Sequence, residues 1–323
     1  MSKLDVSVVV PVLNEEDNVE ELYRRTAVAL DKQVHSWEMI YVDDGSQDAT
    51  FARLEKMHHQ DGRVKVVSFR RNQGKAAAYT AGFLCADGEI IITMDGDLQD
   101  DPAEIPKFLA AMDEGYDVVS GWKYRGKGEA SSQLGRGLPS RMFNIIVARM
   151  SGLYLNDFNC PFKAYRHYVL KDLHIYGELH RFIPVLLHNK GYRIKQIKVE
   201  NYPRQHGISK YGFERFMRGY LDLATVLFLT RYTESPLYFY GYGGSLLFLT
   251  GFFIDLFLTV RGLFFTGVIG HTALLIFGVL LMVLGIQLFA IGFIADLIIS
   301  RDRRNIDSYP IRTILAQSRS DKR

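Results

Sequence analysis

Cysteine is scarce in this chain. Its 323 residues hold two, Cys85 and Cys160, in unrelated contexts and without Cys-x-x-Cys spacing. No disulfide framework is expected; both read as buried thiols in a reducing compartment. Net charge is small as well, +3 at neutral pH, which argues against nucleic acid as the partner. No cleavable leader precedes the first apolar run, because Met1-Ser2-Lys3-Leu4-Asp5 leads straight into it. The catalytic part is therefore expected on the cytosolic side. Two glycine-rich fingerprints are missing. No G-x-G-x-x-G follows the first strand, so a dinucleotide-binding dehydrogenase loses its main support. Gly74-Lys75 is followed by Ala76, and no P-loop exists. A P-loop NTPase is out.

What is present alternates. Val6-Ser7-Val8-Val9-Val10-Pro11-Val12 is a near-continuous apolar strand of the kind buried in parallel sheets. Asn14-Glu15-Glu16-Asp17-Asn18 then offers N-cap and first-turn residues for a helix through Val19, Leu22 and Tyr23. Strands at 38–42 and 64–69, a helix starting near Thr50 and a small-residue helix over 76–86 continue the pattern. Ile90-Ile91-Ile92-Thr93-Met94 reads as a further buried strand, followed by a helix over 105–112 and a strand at 117–120. Such alternation predicts a doubly wound, mainly parallel sheet, whose ligands sit beyond the strands' carboxyl ends. Four polar clusters fall at that edge: Asn14-Glu15, Asp43-Asp44, Arg71 to Lys75, and Asp95 to Gln99.

The last cluster, Asp95-Gly96-Asp97, is an Asp-x-Asp at a strand end. Alone it also fits a solvated acidic turn. In this company it suits a hard divalent cation, which takes one or two carboxylates from protein and the rest from phosphate and water. Gly96 is expected to let a ligand approach the backbone closely.

Four blocks in order carry a resemblance: Val9-Val10-Pro11-Val12-Leu13-Asn14-Glu15, Val42-Asp43-Asp44-Gly45-Ser46, Arg71-Asn72-Gln73-Gly74-Lys75 and Met94-Asp95-Gly96-Asp97-Leu98-Gln99. Together they resemble the nucleotide-sugar half of family-2 inverting glycosyltransferases of GT-A fold. With the apolar tail, the chain is similar to the polyprenyl-phosphate glycosyltransferases, which include dolichyl-phosphate mannose synthases and undecaprenyl-phosphate sugar transferases. The resemblance implies an α/β GT-A domain with helices on both sheet faces and a C-terminal transmembrane helical hairpin. It implies a UDP- or GDP-linked sugar donor, Mg²⁺ or Mn²⁺, and a polyprenyl phosphate of undecaprenyl or dolichyl type. Pro11, Asn14, Glu15, Asp43, Asp44, Lys75 and Asp95 then belong to the nucleotide-sugar site, with Asp43 and Asp44 on the base. Asp95, Asp97 and Gln99 belong to the metal. Gly96 stands where many relatives carry Ala, a difference expected to be harmless.

On the acceptor side, residues 122–141 carry Lys123, Arg125, Lys127, Arg136 and Arg141 among glycines and serines. They read as a mobile basic loop that can offer guanidinium and ammonium groups to phosphate. Asp157-Phe158-Asn159-Cys160-Pro161-Phe162-Lys163-Ala164-Tyr165-Arg166 resembles the family's second landmark, a loop and strand, with Pro161 where many relatives have Gly. Stretches 178–183 and 192–195 are expected to bring the sheet to its far edge. The loop 203–211 resembles a phosphate-binding loop of the family. Lys123, Arg136, Ser140, Arg204 and Lys210 are thus the acceptor-phosphate candidates, and Asp97, Lys123, Arg136 and Arg204 the catalytic set; His206 reads as polar surface. A phosphate monoester is already anionic near neutral pH, its second pKa being about 6. No strong general base is needed, and none stands out.

The chain's mean hydropathy of −0.02 averages two unlike parts. Residues 213–229 mix aromatics with arginine, as an amphipathic helix in the headgroup zone would. Residues 236–260 and 271–299 are each long enough to cross a bilayer. Arg261 is the only full charge of the connecting loop, while Arg301, Arg303, Arg304 and Arg312 follow the second span. The positive-inside rule puts both chain ends in the cytoplasm. Asp255 and Gln287 should face protein, and Gly241, Gly243, Gly244 and Gly251 suit close helix approach, including in a homo-oligomer. The expected layout is a catalytic domain at 1–211, a juxtamembrane segment at 212–235, two transmembrane helices at 236–300 and a basic tail at 301–323. Three rivals are a processive synthase, a transferase with a non-prenyl acceptor, and a non-catalytic scaffold. The first lacks its Q-x-x-R-W signature here, since Gln133-Leu134-Gly135-Arg136 precedes Gly137. Glucose, mannose and N-acetylglucosamine all stay open as the sugar.

Overall fold

The computed structural model describes residues 4–124, 145, 147–149, 151–171, 173, 175–177, 179–200, 236–264 and 271–302. Arg136, Ser140, Arg204, His206 and Lys210, and the segment 212–235, lie outside the described residues. Two compact units, 1–226 and 227–323, divide the chain.

In the first unit, β1 (Leu4–Val12), β2 (Trp37–Asp43), β3 (Val64–Ser68), β4 (Gly88–Thr93), β5 (Val118–Tyr124), β6 (Lys163–Arg166) and β7 (Ile194–Glu200) form one sheet. Its order is β3-β2-β1-β4-β6-β5-β7. All strands run parallel except β6, which is antiparallel to both β4 and β5. The helices are α1 (Val19–Leu30), α2 (Thr50–Gln60), α3 (Lys75–Cys85), α4 (Ile105–Asp113), the single turn α5 (His167–Leu170) and α6 (Ile183–Asn189). The stretch 178–183 is not part of the sheet edge: Leu179–Phe182 is a 3-10 turn running into α6, and β7 alone forms that edge. Pro184, at the start of α6, has no N–H to lose there.

β1 is buried from Val6 to Val12 because both of its faces are covered. Val6, Val8, Val10 and Val12 join Leu22, Leu30, Phe108 and Met112 in the core under α1 and α4. Val9 points the other way, under α3. There a Cβ added at Gly82 would lie 2.3 Å from Val9 Cγ1. The small residues of α3 are thus what lets it lie close on the sheet. Pro11 sits inside this central strand without leaving a gap in the ladder. Odd-numbered β1 residues face β4 (Met94 N–H donates to Val9 C=O), and β4 has ended by the level of Pro11.

The second unit contributes α7 (Pro236–Phe264) and α8 (Thr272–Asp302), both long and apolar enough to cross a membrane. They pack through glycines. A Cβ on Gly244 would come within 2.6 Å of the Gly285 carbonyl, and one on Gly251 within 2.3 Å of the Gly278 carbonyl. Asp255 faces protein as expected, its carboxylate lying over Gly278. Gln287 does not: it is exposed on α8.

Candidate nucleotide-sugar and metal site

The carboxyl ends of β1, β2 and β3 open on a cleft of about 540 Å³, lined among others by Asn14, Asp43, Ser46, Phe51, Ser68 and Arg71. Gly45 makes its floor. Its φ of +81° and the Arg71 carbonyl carbon, 2.7 Å from where a Cβ would be, exclude any larger residue without rearrangement. Asn14 takes a left-handed backbone, φ +56°, which Asn tolerates better than most residues. Its Oδ1 accepts from Gln47 N–H at 2.9 Å, and its own N–H donates to Ser46 Oγ at 2.9 Å. Glu15 N–H donates to Thr50 Oγ1, and its carboxylate accepts from Asn18 Nδ2. Both residues thus stitch the β1–α1 loop to the start of α2.

The two acids at the end of β2, Asp43 in the strand and Asp44 just beyond it, have different tasks. Asp43 is buried, with Oδ1 accepting from Ser46 N–H and Oδ2 from Ser68 Oγ, each at 2.9 Å. It lines the cleft, and each carboxylate oxygen can accept a second hydrogen bond. Asp44 turns away and holds the loop before α3: Gln73 N–H donates to Oδ1 at 2.6 Å and Gly74 N–H to Oδ2 at 3.0 Å.

Beyond β4 the chain makes a tight acidic loop. Leu98 adopts φ +60°, unusual for a residue with a branched side chain and of the kind that gathers at functional sites. Asp97 is buried, and its Oδ1 accepts from Gln99 N–H at 3.2 Å. Asp95 meets Lys75 Nζ through both oxygens, at 2.7 and 2.9 Å. Burial works against charge on Asp95, but the Lys75 ammonium outweighs it and holds the carboxyl below the usual range. Asp100 is fully buried and pairs with Lys123 Nζ at 2.9 Å. Burial raises the Asp100 carboxyl, Lys123 offsetting only part of it. Burial likewise disfavours charge on Lys123, but Asp100 reverses the balance and holds the ammonium above its ordinary value.

Among the described residues no three acidic, histidine or cysteine side chains converge tightly enough for a closed metal cage. The donors at hand are nevertheless hard oxygens on one short loop, the Asp97 carboxylate and the Gln99 side-chain amide. That set fits Mg²⁺ or Mn²⁺ completed by ligand phosphate and water, not an all-protein site. Asp95, engaged on both oxygens by Lys75, fits less well as a direct ligand.

A family model described as glycosyl transferase family 2 matches residues 7–174, from within β1 to past β6. The chain belongs to glycosyl transferase family 2. Along nearly its whole length this transferase is similar to a dodecaprenyl-phosphate galacturonate synthase of Rhizobium johnstonii, 36% identical over 92% of this chain and 88% of that one. It is likewise similar to an undecaprenyl-phosphate 4-deoxy-4-formamido-L-arabinose transferase of Proteus mirabilis, 33% identical over 98% and 96%. In fold it resembles a glucosyl-3-phosphoglycerate synthase of Mycobacterium tuberculosis, crystallised with Mn²⁺, uridine diphosphate and glucosyl-3-phosphoglycerate. The TM-score is 0.51 at 18% identity, over 70% of this chain and 79% of that one.

Of the site residues expected from the sequence of this family-2 transferase, Pro11, Asn14, Glu15, Asp43, Asp44, Lys75, Asp95, Asp97, Gln99 and Lys123 are described. They stand along one edge of the sheet, as the strand ends dictate. Gly96 departs from expectation. Its Cα faces the protein, and an added Cβ would sit 2.7 Å from Val12 Cγ1, so Ala is not neutral here unless Val12 moves. Three residues escaped the sequence reading. Asp100 lies inside the acidic motif and holds Lys123; a second acid so soon after Asp97 was the available signal. His180 is largely buried beside Tyr79, ring centroids 6.1 Å apart. Burial, then the cations of Arg181, Lys75 and Lys163, pull its pKa down to about 3. Lys163 is buried in β6, and only the sheet order reveals that it stands across from Thr93.

Proposed function

We propose that this membrane-associated glycosyltransferase moves a sugar from a nucleoside-diphosphate donor to a polyprenyl phosphate, with inversion at the anomeric carbon. One observation carries the reading: relatives named for sugar transfer to dodecaprenyl or undecaprenyl phosphate align over nine-tenths or more of the chain, α7 and α8 included. A soluble acceptor would give no reason for that shared apolar tail.

In this reading the base enters the cleft between Asn14, Phe51 and Arg71, and Asp43 accepts from its ring N–H. Asp44, Asn14 and Glu15 shape the loops around it. The diphosphate extends toward Lys75 and the Asp97 loop. A divalent ion held by Asp97 and Gln99 would supply positive charge to the departing nucleoside diphosphate. Lys75 keeps Asp95 ionised and aimed at the ribose side. The acceptor needs no base, since its phosphate oxygen is anionic near neutral pH. His180 fits that account: an imidazole with a pKa of about 3 takes up no proton at neutral pH. The acceptor oxygen attacks the anomeric carbon as the bond to the diphosphate oxygen breaks on the opposite face. Lys123, held by Asp100, adds positive charge on the near side. Arg136, Ser140, Arg204 and Lys210 are proposed as the acceptor-phosphate ligands that offset repulsion between the two anions. The bilayer places the acceptor, the catalytic domain and both chain ends lie in the cytoplasm, and a homo-oligomer through the hairpin would use faces other than the glycines that α7 and α8 spend on each other.

The test is transfer from radiolabelled UDP- and GDP-sugars to undecaprenyl phosphate in detergent with Mn²⁺ or Mg²⁺. The panel should include glucose, mannose, N-acetylglucosamine, a hexuronate and a 4-formamido pentose. The expected result is one metal-dependent labelled lipid, lowered about 100-fold or more in Asp97→Ala. Label released only to water, or passed only to soluble acceptors, would overturn the reading.

A further inference from the structure

Of three lysines around the acidic loop, two are paired with carboxylates. Lys75 pairs with Asp95 and Lys123 with Asp100. Lys163 is the exception. It is 3% exposed, and among the described residues its Nζ donates to one acceptor, the Cys160 carbonyl, with no carboxylate in ion-pair range. β6 places it opposite Thr93, two residues before Asp95, and opposite Ser120, three before Lys123. Burial pulls its pKa down; the charges of Cys160, Asp157, Asp95 and Asp100 pull the other way without restoring it. A buried ammonium satisfied by a carbonyl dipole alone is costly to keep, and an apolar side chain of similar length would be more stable there. Such a cost is commonly met at functional sites.

The reaction supplies the missing anion. When the bond from the anomeric carbon to the diphosphate oxygen breaks, its electron pair stays on that oxygen. The nucleoside diphosphate thereby gains one negative charge over the sugar-bearing donor. A divalent ion balances the donor but not this added charge. We propose that Lys163 is the built-in counter-charge for the departing nucleoside diphosphate, a buried positioning residue that acts through the field beneath Asp95 and Asp100 without touching the ligand. This rests on the transfer reading above. It also explains why the cation comes from β6: a strand running against its neighbours brings a side chain under the loop from the opposite direction.

The sign of each effect separates this role from a structural one. In full-length protein in detergent, Lys163→Met should bind Mn²⁺ alone several-fold more tightly, because a nearby positive charge is gone. UDP or GDP with Mn²⁺ should bind about tenfold more weakly, while binding of the sugar-bearing donor changes little. kcat should fall more than KM rises, and the Tm should stay level or rise. Lys163→Arg, which keeps the charge, should restore nucleoside diphosphate affinity at least in part. The proposal is overturned if the ratio of nucleoside diphosphate to donor affinity is unchanged. It is also overturned if Mn²⁺ binding, nucleotide binding and Tm all fall together and Arg behaves like Met. Should Lys163→Met not fold, Lys163→Gln takes its place; if neither folds, the lysine serves stability and the proposal fails. Wild-type protein that binds neither UDP nor GDP with Mn²⁺ would sink the transfer reading itself, whereas a sound wild-type signal with an unmoved ratio sinks only the role of Lys163.

Discussion

Asp43 and Asp44 are neighbours in sequence and opposites in use. At the end of β2 their two carboxylates part, so one lines the cleft while the other is consumed by the N–H groups of Gln73 and Gly74. A strand's alternation makes such a split unavoidable. His180 extends the same logic to pH. In the unfolded chain its imidazole takes a proton near pH 6.5, whereas in the fold, with a pKa of about 3, it resists protonation. Between those values the unfolded state binds more protons, so stability falls as pH is lowered through that window, by up to about 1.4 kcal/mol per pH unit. Above pH 6.5 the group contributes no slope. His180→Gln should therefore give a shallower loss of thermal stability from pH 6.5 toward 3, with the two proteins nearly parallel above 7. Identical acid slopes would place the imidazole in water. The acids Asp43, Asp95 and Asp97 were legible because each ends an apolar run. Lys163 and His180 were not, since a buried titratable group is visible only once the fold puts it against partners distant in sequence.

At the scale of elements, strand and helix order up to α4 was readable because each β-branched run is followed by polar, capping or glycine-containing turns. β6 was the blind spot in direction. Four residues carry no mark of which way they run, and the long connection before them allows either sense. The strand expected at 178–183 ran against the residues themselves: Leu179, Phe182 and Ile183 fall at helical spacing, and the chain there turns into α6. The hairpin was legible from length and hydropathy, and its packing from glycine. Those glycines are not equivalent. A Cβ on Gly285 would fall 2.5 Å from the Gly244 carbonyl and 2.8 Å from Phe248 N, both backbone atoms that cannot swing aside. One on Gly243 would meet only Leu288 Cδ1, at 3.9 Å. Gly285→Leu should therefore force α7 and α8 apart, at a cost of about 1–3 kcal/mol. Melting in detergent should fall and transfer to lipid should weaken, while Mn²⁺-dependent nucleotide binding persists. Gly243→Ala is the matched control and should behave as wild type. If Gly285→Leu also matches wild type, the close glycine contact is not what holds the hairpin.

For the whole molecule, helix length and charge together argue the orientation. At about 1.5 Å per residue, the 29 residues of α7 reach roughly 44 Å and the 31 of α8 roughly 46 Å, against a hydrocarbon core of about 30 Å. Each helix must tilt or emerge. The emergent ends can be named from their side chains. Tyr238 and Tyr242 stack on each other, exposed, in the first turns of α7, where aromatic rings suit the headgroup zone. In sequence, Arg301, Arg303, Arg304 and Arg312 follow the apolar stretch of α8, whereas Arg261 lies in the last turn of α7. On the positive-inside rule we propose that the start of α7 and the end of α8 share the cytoplasmic side. On that proposal the catalytic unit lies where soluble nucleotide sugars are. In intact cells a membrane-impermeant maleimide should label Gly267→Cys, while Ser318→Cys should react only after lysis. Of the native thiols Cys160 is buried and Cys85 half-buried, and protein without either substitution gives their background labelling. Labelling of Ser318→Cys in intact cells would invert the hairpin and strand the nucleotide cleft on the side away from its donor.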